Sequence, residues 1–204
     1  MSNMASIPTQ EPVEVTTATK TEEEQVIDTI VLAFNSDPMM RWFYPSSNDY
    51  LHYFPELVRR LGGKAFDHGT AHYLHDFAAA ALWLPPDVHP DEEAIAALFQ
   101  NSLPDTRQEQ ALSVLEKLDG YHPTDPFWYL PFIGADPTQQ RKGYGSALMK
   151  HVLDVCDQEG VIAYLESSNP LNISLYARHG FEILGMIRED TMPTLIPMER
   201  KPQV

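Results

Sequence analysis

Apolar residues recur at helical spacing in six stretches of this chain, and short apolar runs bounded by Gly, Pro or Asp lie between them. Val26, Ile27, Ile30, Val31 and Phe34 share one helix face, opened by Thr21-Glu-Glu-Glu as an N-cap with acids in the first turn and stopped by Asp37-Pro38. Tyr53, Phe54, Leu57, Val58 and Leu61 predict a second helix over 50–61, ended by Gly62-Gly63. Further helices are expected over 91–99, 104–118, 141–158 and 171–178, the last closed by Gly180. Thr70 to Leu74 and Phe77 to Leu84 read as strands joined by a tight turn at His75-Asp76, although the alanines of the second favour helix. Strands are also expected over 127–135, 161–166 and 181–188, with an edge strand over 192–200.

The first 20 residues are rich in Thr, Ser, Pro, Gln and Glu and read as a disordered tail, followed by one domain from 21 to 204. Net charge is −15, which argues against a nucleic-acid binder, since that function needs a basic face. No apolar run approaches membrane-span length and no secretory signal is visible, so a cytoplasmic protein is expected, as monomer or homodimer. Cys156 is the only cysteine, which excludes an intramolecular disulfide and a thiolate metal cluster. It shares an apolar helix face with Leu148, Val152 and Val155 and reads as a core residue.

Candidate chemistry begins at Gln140-Arg-Lys-Gly-Tyr-Gly145, between a long strand and a helix. The first N–H groups of a helix lack intrahelical partners, the macrodipole makes that end positive, and glycine permits close backbone approach. The loop therefore predicts a phosphorylated ligand. It lacks the third glycine and distal acid of a dinucleotide fingerprint and the Gly-Lys-Ser/Thr of a Walker loop. Downstream, Leu165-Glu-Ser ends a strand at a carboxylate, and Asn172 and Tyr176 lie one turn apart ahead of Arg178-His-Gly-Phe181.

Together, Gln140-x-x-Gly143-x-Gly145 and Asn172, Tyr176 and Arg178-x-Gly-Phe181 resemble the signatures of the GNAT superfamily of acetyl-coenzyme A-dependent N-acetyltransferases. Ala33-Phe-Asn-Ser-Asp-Pro38, Ala81-Leu-Trp-Leu-Pro85, Trp128-Tyr-Leu130 and Leu165-Glu-Ser167 resemble its puromycin N-acetyltransferase-like branch, from which Phe127 and the glycine-free turn at His75 depart. The resemblance implies an α/β (α+β) fold: a mixed, mostly antiparallel six- to seven-stranded sheet, helices on both faces and a splayed central strand pair. It implies acetyl-coenzyme A as co-substrate, no metal, and a small-molecule amine as acceptor. Backbone groups of Arg141, Lys142, Gly143, Tyr144, Gly145 and Ser146, with Gln140, would hold the pyrophosphate. Ile133, Gly134 and Ala135 would bind pantetheine at the strand edge and point at the thioester carbonyl.

In this scheme Tyr176 protonates the departing thiolate, since a phenol near ~10 is protonated at neutral pH and lies close to a thiol near ~8.5. Glu166 is a general base, directly or through water, or else a substrate-orienting carboxylate. Asn172 bonds the pantetheine or caps a helix. His122 could assist the acceptor side or serve a turn. Trp42, Phe43, Tyr44, Tyr50 and Tyr53 wall a pocket or pack the core. His68, His72 and His75 approach metal-like spacing, but a strand would turn His72 and His75 to opposite faces. Other readings are a non-catalytic acyl-coenzyme A sensor, a protein or peptide acetyltransferase, and a metal-dependent hydrolase using the histidines.

Overall fold

The computed structural model describes residues 14–203. In chain order the elements are β1 (Thr16–Thr17), α1 (Glu23–Ala33), α2 (Pro38–Phe43), α3 (Ser47–Gly62), α4 (Lys64–Asp67), β2 (Ala71–Leu74) and β3 (Ala79–Leu84). There follow α5 (Glu92–Ser102), α6 (Asp105–Asp119), β4 (Phe127–Ala135), α7 (Tyr144–Glu159) and β5 (Ile162–Ser167). The chain ends with α8 (Ile173–Arg178), β6 (Glu182–Ile183), β7 (Ile187–Glu189) and β8 (Met192–Arg200). The strands make one sheet in the order β1-β2-β3-β4-β5-β8-β6, with β7 pairing on β8. Every pairing is antiparallel except β4 with β5.

All six residues of β3 are buried, which the sheet's two covered faces explain. Ala80, Leu82 and Leu84 join the core under α1, α3, α5 and α6, while Ala79, Ala81 and Trp83 face Leu148, Met149 and Val152 of α7. A strand between two helical layers needs small residues where both approach closely, and that packing overrides the helical preference of alanine.

The central pair positions the site. β4 and β5 pair only from Phe127↔Ile162 to Tyr129↔Tyr164, after which β4 runs on to Ala135 and β5 to Ser167 without pairing to each other. On its other side β4 shifts register against β3 between Leu82↔Phe132 and Leu84↔Tyr129, so Leu130 and Pro131 form a bulge. A bulge bends its strand, and Pro131 fits there because it has no ladder N–H to lose. The expected splayed pair is thus present.

Several boundaries move for identifiable reasons. Thr19, not Thr21, opens the first helical segment: its N–H donates to Glu22 Oε2 at 2.8 Å. Part of the expected tail is ordered, because Thr16 and Thr17 pair with Tyr73 and His72; residues 1–13 lie outside the described residues. Asp37-Pro38 ends one helix and starts another, with Asp37 Oδ1 accepting from the N–H groups of Met39 and Met40 at 3.0 and 3.1 Å. The expected strand over 181–188 divides around Gly185, where a Cβ would lie 2.5 Å from the Tyr121 ring. β8 is an interior strand rather than an edge, carrying β5 on one side and β6 and β7 on the other. Tyr44 and Tyr50 are core residues at 1% exposure, while Trp42, Phe43 and Tyr53 are half-buried against them. Cys156 is fully buried, and burial pushes its thiol up to about 12, so it stays an inert core group.

Candidate active site

Between the splayed strands and the starts of α7 and α8 lies a cavity of about 700 Å3. Four stretches line it: Ala33, Phe34, Ser36 and Asp37 at the end of α1 and the turn after it; Ile133, Gly134 and Ala135 from β4; Gln140, Arg141 and Gly143 with Tyr144, Gly145 and Ser146 from the loop and α7; and Asn172 and Tyr176 at α8. Sequence reasoning thus named residues from three separate segments that share one wall. Lys142 does not line it; its ammonium turns to Gln139 Oε1 at 2.5 Å.

The loop owes its shape to two left-handed residues, Arg141 at φ 64° and Gly143 at φ 85°. Gly143 caps α7 without a side-chain bond, so the first N–H groups of a 16-residue helix turn toward the cavity. Left-handed residues in such a turn gather successive N–H groups into an anion-binding concavity. A Cβ on Gly143 would meet nothing within 4 Å; the glycine is needed for its backbone angle rather than to avoid a protein neighbour. Gly134 has another reason: a Cβ there would lie 2.5 Å from that of Ala33, so this glycine admits the end of α1 against β4. Arg141 and Arg178 add positive charge, and Arg178 was not among the residues singled out for binding although it stands in the Arg-x-Gly-Phe signature. The donor set, backbone N–H groups with two guanidinium groups, fits a pyrophosphate.

Asn172 stands at the N-cap of α8 but makes no capping bond, which removes the helix-cap alternative for its side chain. The Tyr176 hydroxyl is pushed well above its ordinary range, first by burial and then by the Asp37 carboxylate. Asp37 itself is 6% exposed, and burial raises its carboxyl despite a 2.7 Å hydrogen bond from Ser168 Oγ. Neither Asp37 nor Ser168 emerged as a site residue from the sequence; the Asp-Pro cap signature was the available signal.

Glu166 lies apart from this cavity. A narrow apolar throat of about 150 Å3 begins at Phe34, Ile133, Asn172 and Tyr176, which it shares with the first cavity, and ends at Tyr129 and Glu166. Phe43 of the aromatic cluster lines it too. Tyr129 Oη donates to Glu166 Oε2 at 2.8 Å, and His122 Nε2 stands 3.6 Å from Oε1. Facing Glu166 raises the His122 pKa against the opposing effect of burial. Burial above all, then Glu166, keeps the Tyr129 hydroxyl protonated. His122 therefore stands beside Glu166, and Tyr129 is a second neighbour that the alternating β4 pattern did not single out. Of the three histidines with metal-like spacing, His72 and His75 diverge: the His72 ring meets His151 at 4.6 Å and His75 meets Tyr144 at 5.2 Å.

Comparison with known proteins bears on the family and the fold. The family model described as Acetyltransferase (GNAT) family matches residues 53–181. An uncharacterised N-acetyltransferase of Schizosaccharomyces pombe is 27% identical over 198 residues, covering 86% of this chain and 78% of that protein. Among solved structures, a histone acetyltransferase HPA2 and related acetyltransferase from Corynebacterium glutamicum superposes with TM-score 0.66 at 24% identity, covering 94% and 97% of the two chains. The arylalkylamine N-acetyltransferase 2 of Aedes aegypti gives TM-score 0.66 at 11% identity, covering 95% and 100%. At these identities the structures speak to the shared fold, an eight-stranded, mostly antiparallel sheet with helices. With the family match spanning more than half its length, the chain belongs to the GNAT family and is an acyltransferase.

Proposed function

We propose that this protein moves an acetyl group from acetyl-coenzyme A, the co-substrate of its family, directly to an amine of a small molecule. The observation that carries this reading is the meeting of two cavities at Ile133, Asn172 and Tyr176, one cationic and rich in free N–H groups, the other a narrow apolar throat leading to Glu166. Acetyl-coenzyme A supplies an activated acyl carbon whose C–S bond breaks as the C–N bond to the amine forms, leaving as the thiol. The loop from Gln140 to Ser146 and Arg178 hold the phosphates, and the strand-edge N–H groups of Ile133 to Ala135 orient the carbonyl.

An amine arrives as ammonium and needs a base. Glu166 takes one proton, and His122, partly exposed and 3.6 Å away, relays it to solvent. Tyr176 keeps its proton because its pKa is raised. The same shift makes the phenol a weak acid, so it delivers a proton to the departing sulfur only while receiving the second proton shed by nitrogen. The apolar throat excludes water that would otherwise compete as nucleophile. Its small volume of about 150 Å3 favours a small amine over a folded protein surface, and the Aedes neighbour, named for arylalkylamines, is consistent with that choice. The likeness to the puromycin N-acetyltransferase-like branch, carried by four motif segments, points the same way.

Calorimetry with acetyl-coenzyme A followed by thiol release over a panel of amines tests the reading. Saturable binding and amine-dependent release are expected; binding with no release from any amine would make the protein a sensor instead.

A further inference from the structure

Beyond Glu166 the throat widens into an outer cavity of about 560 Å3 bounded by α5, α6 and the 119–126 loop. Its floor is apolar, with Ile95, Leu112, Leu115 and Leu118, while Asp87, Glu92, Glu116, Asp119 and Asp125 stand exposed around its rim. Among the described residues, no Lys or Arg lines it. In a chain with 29 Asp and Glu against 14 Lys and Arg, an acidic rim alone would say little. The inner end supplies the second observation. The Glu166 side chain is 7% exposed and lines both throat and outer cavity, and its Oε1 is buried with no hydrogen-bond partner. The His122 ring stands 3.6 Å from it, beyond hydrogen-bond length. A buried carboxylate oxygen without a donor is costly, and a ligand N–H would complete it.

The two ends of the path also differ in sign. The donor cavity carries Arg141 and Arg178, whereas the outer cavity carries five rim carboxylates. Opposite potentials sort an anionic donor and a cationic acceptor to opposite mouths. An amine with a single positive charge would lose it near Glu166 on reacting and leave the rim with nothing but water to face.

We propose that the acceptor carries two cationic nitrogens on an apolar spacer. The reacting nitrogen passes into the throat to Glu166 and Tyr176, the spacer lies on the leucine floor, and the second cation stays at the rim near Glu92 and Glu116. This rests on the transferase reading above, and the bond changes are those already given.

Hexylamine and 1,6-diaminohexane, matched in spacer, test it with acetyl-coenzyme A saturating and thiol release as readout. Beyond the statistical factor of about two for its equivalent ends, the diamine should show roughly tenfold higher kcat/KM, expressed in KM and shrinking as ionic strength rises. Glu92→Gln and Glu116→Gln, both on exposed helix surface, should each lower the diamine-to-monoamine ratio by about threefold. Equal efficiencies after the statistical correction, or a ratio indifferent to salt and to both substitutions, would overturn the two-cation acceptor while leaving the transferase intact. Thiol release with neither amine, nor with any other primary amine, would overturn the transferase reading and this one with it.

Discussion

Gly143 offers the sharpest test of the donor site, because the structure separates two reasons for a glycine that the sequence alone merges. Its φ is 85° and ψ is 3°, and an added Cβ would find no atom within 4 Å. A side chain here costs no clash with the protein and pays only for the left-handed backbone, about 1–2 kcal/mol for an L-residue. At about 1.4 kcal/mol per factor of ten, that is roughly 5- to 30-fold in an equilibrium constant. If the free loop relaxes to avoid the strain, the cost appears in the dissociation constant for acetyl-coenzyme A; if the loop is held, it appears as a lower melting temperature. Asn tolerates the left-handed region far better than Ala, and a β-branched residue tolerates it worst. The expected order of weakening is therefore Gly143→Asn within about threefold, Gly143→Ala about tenfold, and Gly143→Val beyond that. Calorimetry and thermal melting of the three variants measure both channels. If Asn and Ala lose affinity equally with melting unchanged, the conformational argument is wrong and the ligand itself touches the Gly143 Cα. Unchanged affinity and melting across the series would remove the loop from the donor site.

Four further outcomes follow from the geometry. Tyr176→Phe should lower kcat by about 100-fold or more with donor affinity nearly intact; lost donor binding with turnover per bound donor preserved would reassign the residue. Glu166→Gln should lower turnover at neutral pH and recover as pH rises and the amine deprotonates in solution, whereas a merely orienting carboxylate would show no such recovery. Arg200, 4% exposed, makes paired 2.7 Å contacts to Asp157 and donates to the His179 carbonyl, so Arg200→Ala should cost about 3–5 kcal/mol in chemical denaturation; a loss below about 1 kcal/mol would contradict the lock. Burial first, and then His151, push the His72 pKa to about 4. The unfolded chain protonates this residue near ~6.5, so its stability contribution is complete above that pH and is lost as pH falls toward 4. That window is worth about 2 kcal/mol by pH 5, and His72→Gln should flatten it; an unchanged pH slope would show that another group is responsible.

The proposed donor half of the site gathers residues that the sequence could name, because their pattern is local. An anion-binding loop needs glycine at a left-handed position beside a helix start, and Gln140 to Gly145 spells that out within six residues. Tyr176 was legible for the same reason, one helical turn after Asn172. Asp37 was not, because an Asp-Pro pair signals a cap in any context, and only tertiary packing brings it to Ser168 and Tyr176 across 131 residues. The β8 strand was misplaced as an edge for a similar reason: burial pattern reports covered faces, and says nothing of which strand lies alongside. The division of 181–188 required Tyr121, a residue 64 positions earlier than Gly185, to press against the backbone.

The proposed acceptor half was legible only at Glu166 and His122, because no one segment contains it. Glu166 comes from β5, Tyr129 from β4, His122 from a loop, and the rim carboxylates from α5, α6 and two connections. Each is unremarkable at its own position, since an acid in the first turn of a helix, such as Glu92, already has a local explanation in the macrodipole. The local account and the site account make different demands on Glu92. A dipole partner has no preference among substrates, and replacing it by Gln would change stability by a few tenths of a kcal/mol with the diamine-to-monoamine ratio untouched. A rim carboxylate shifts that ratio and leaves stability nearly alone. Net charge follows the same division. A value of −15 spread evenly would repel an anionic donor, but Arg141 and Arg178 stand at one mouth while five rim carboxylates stand at the other. What the overall charge conceals is this sorting, and on the proposed reading the sorting would let a polyphosphate enter from one side and a cation from the other.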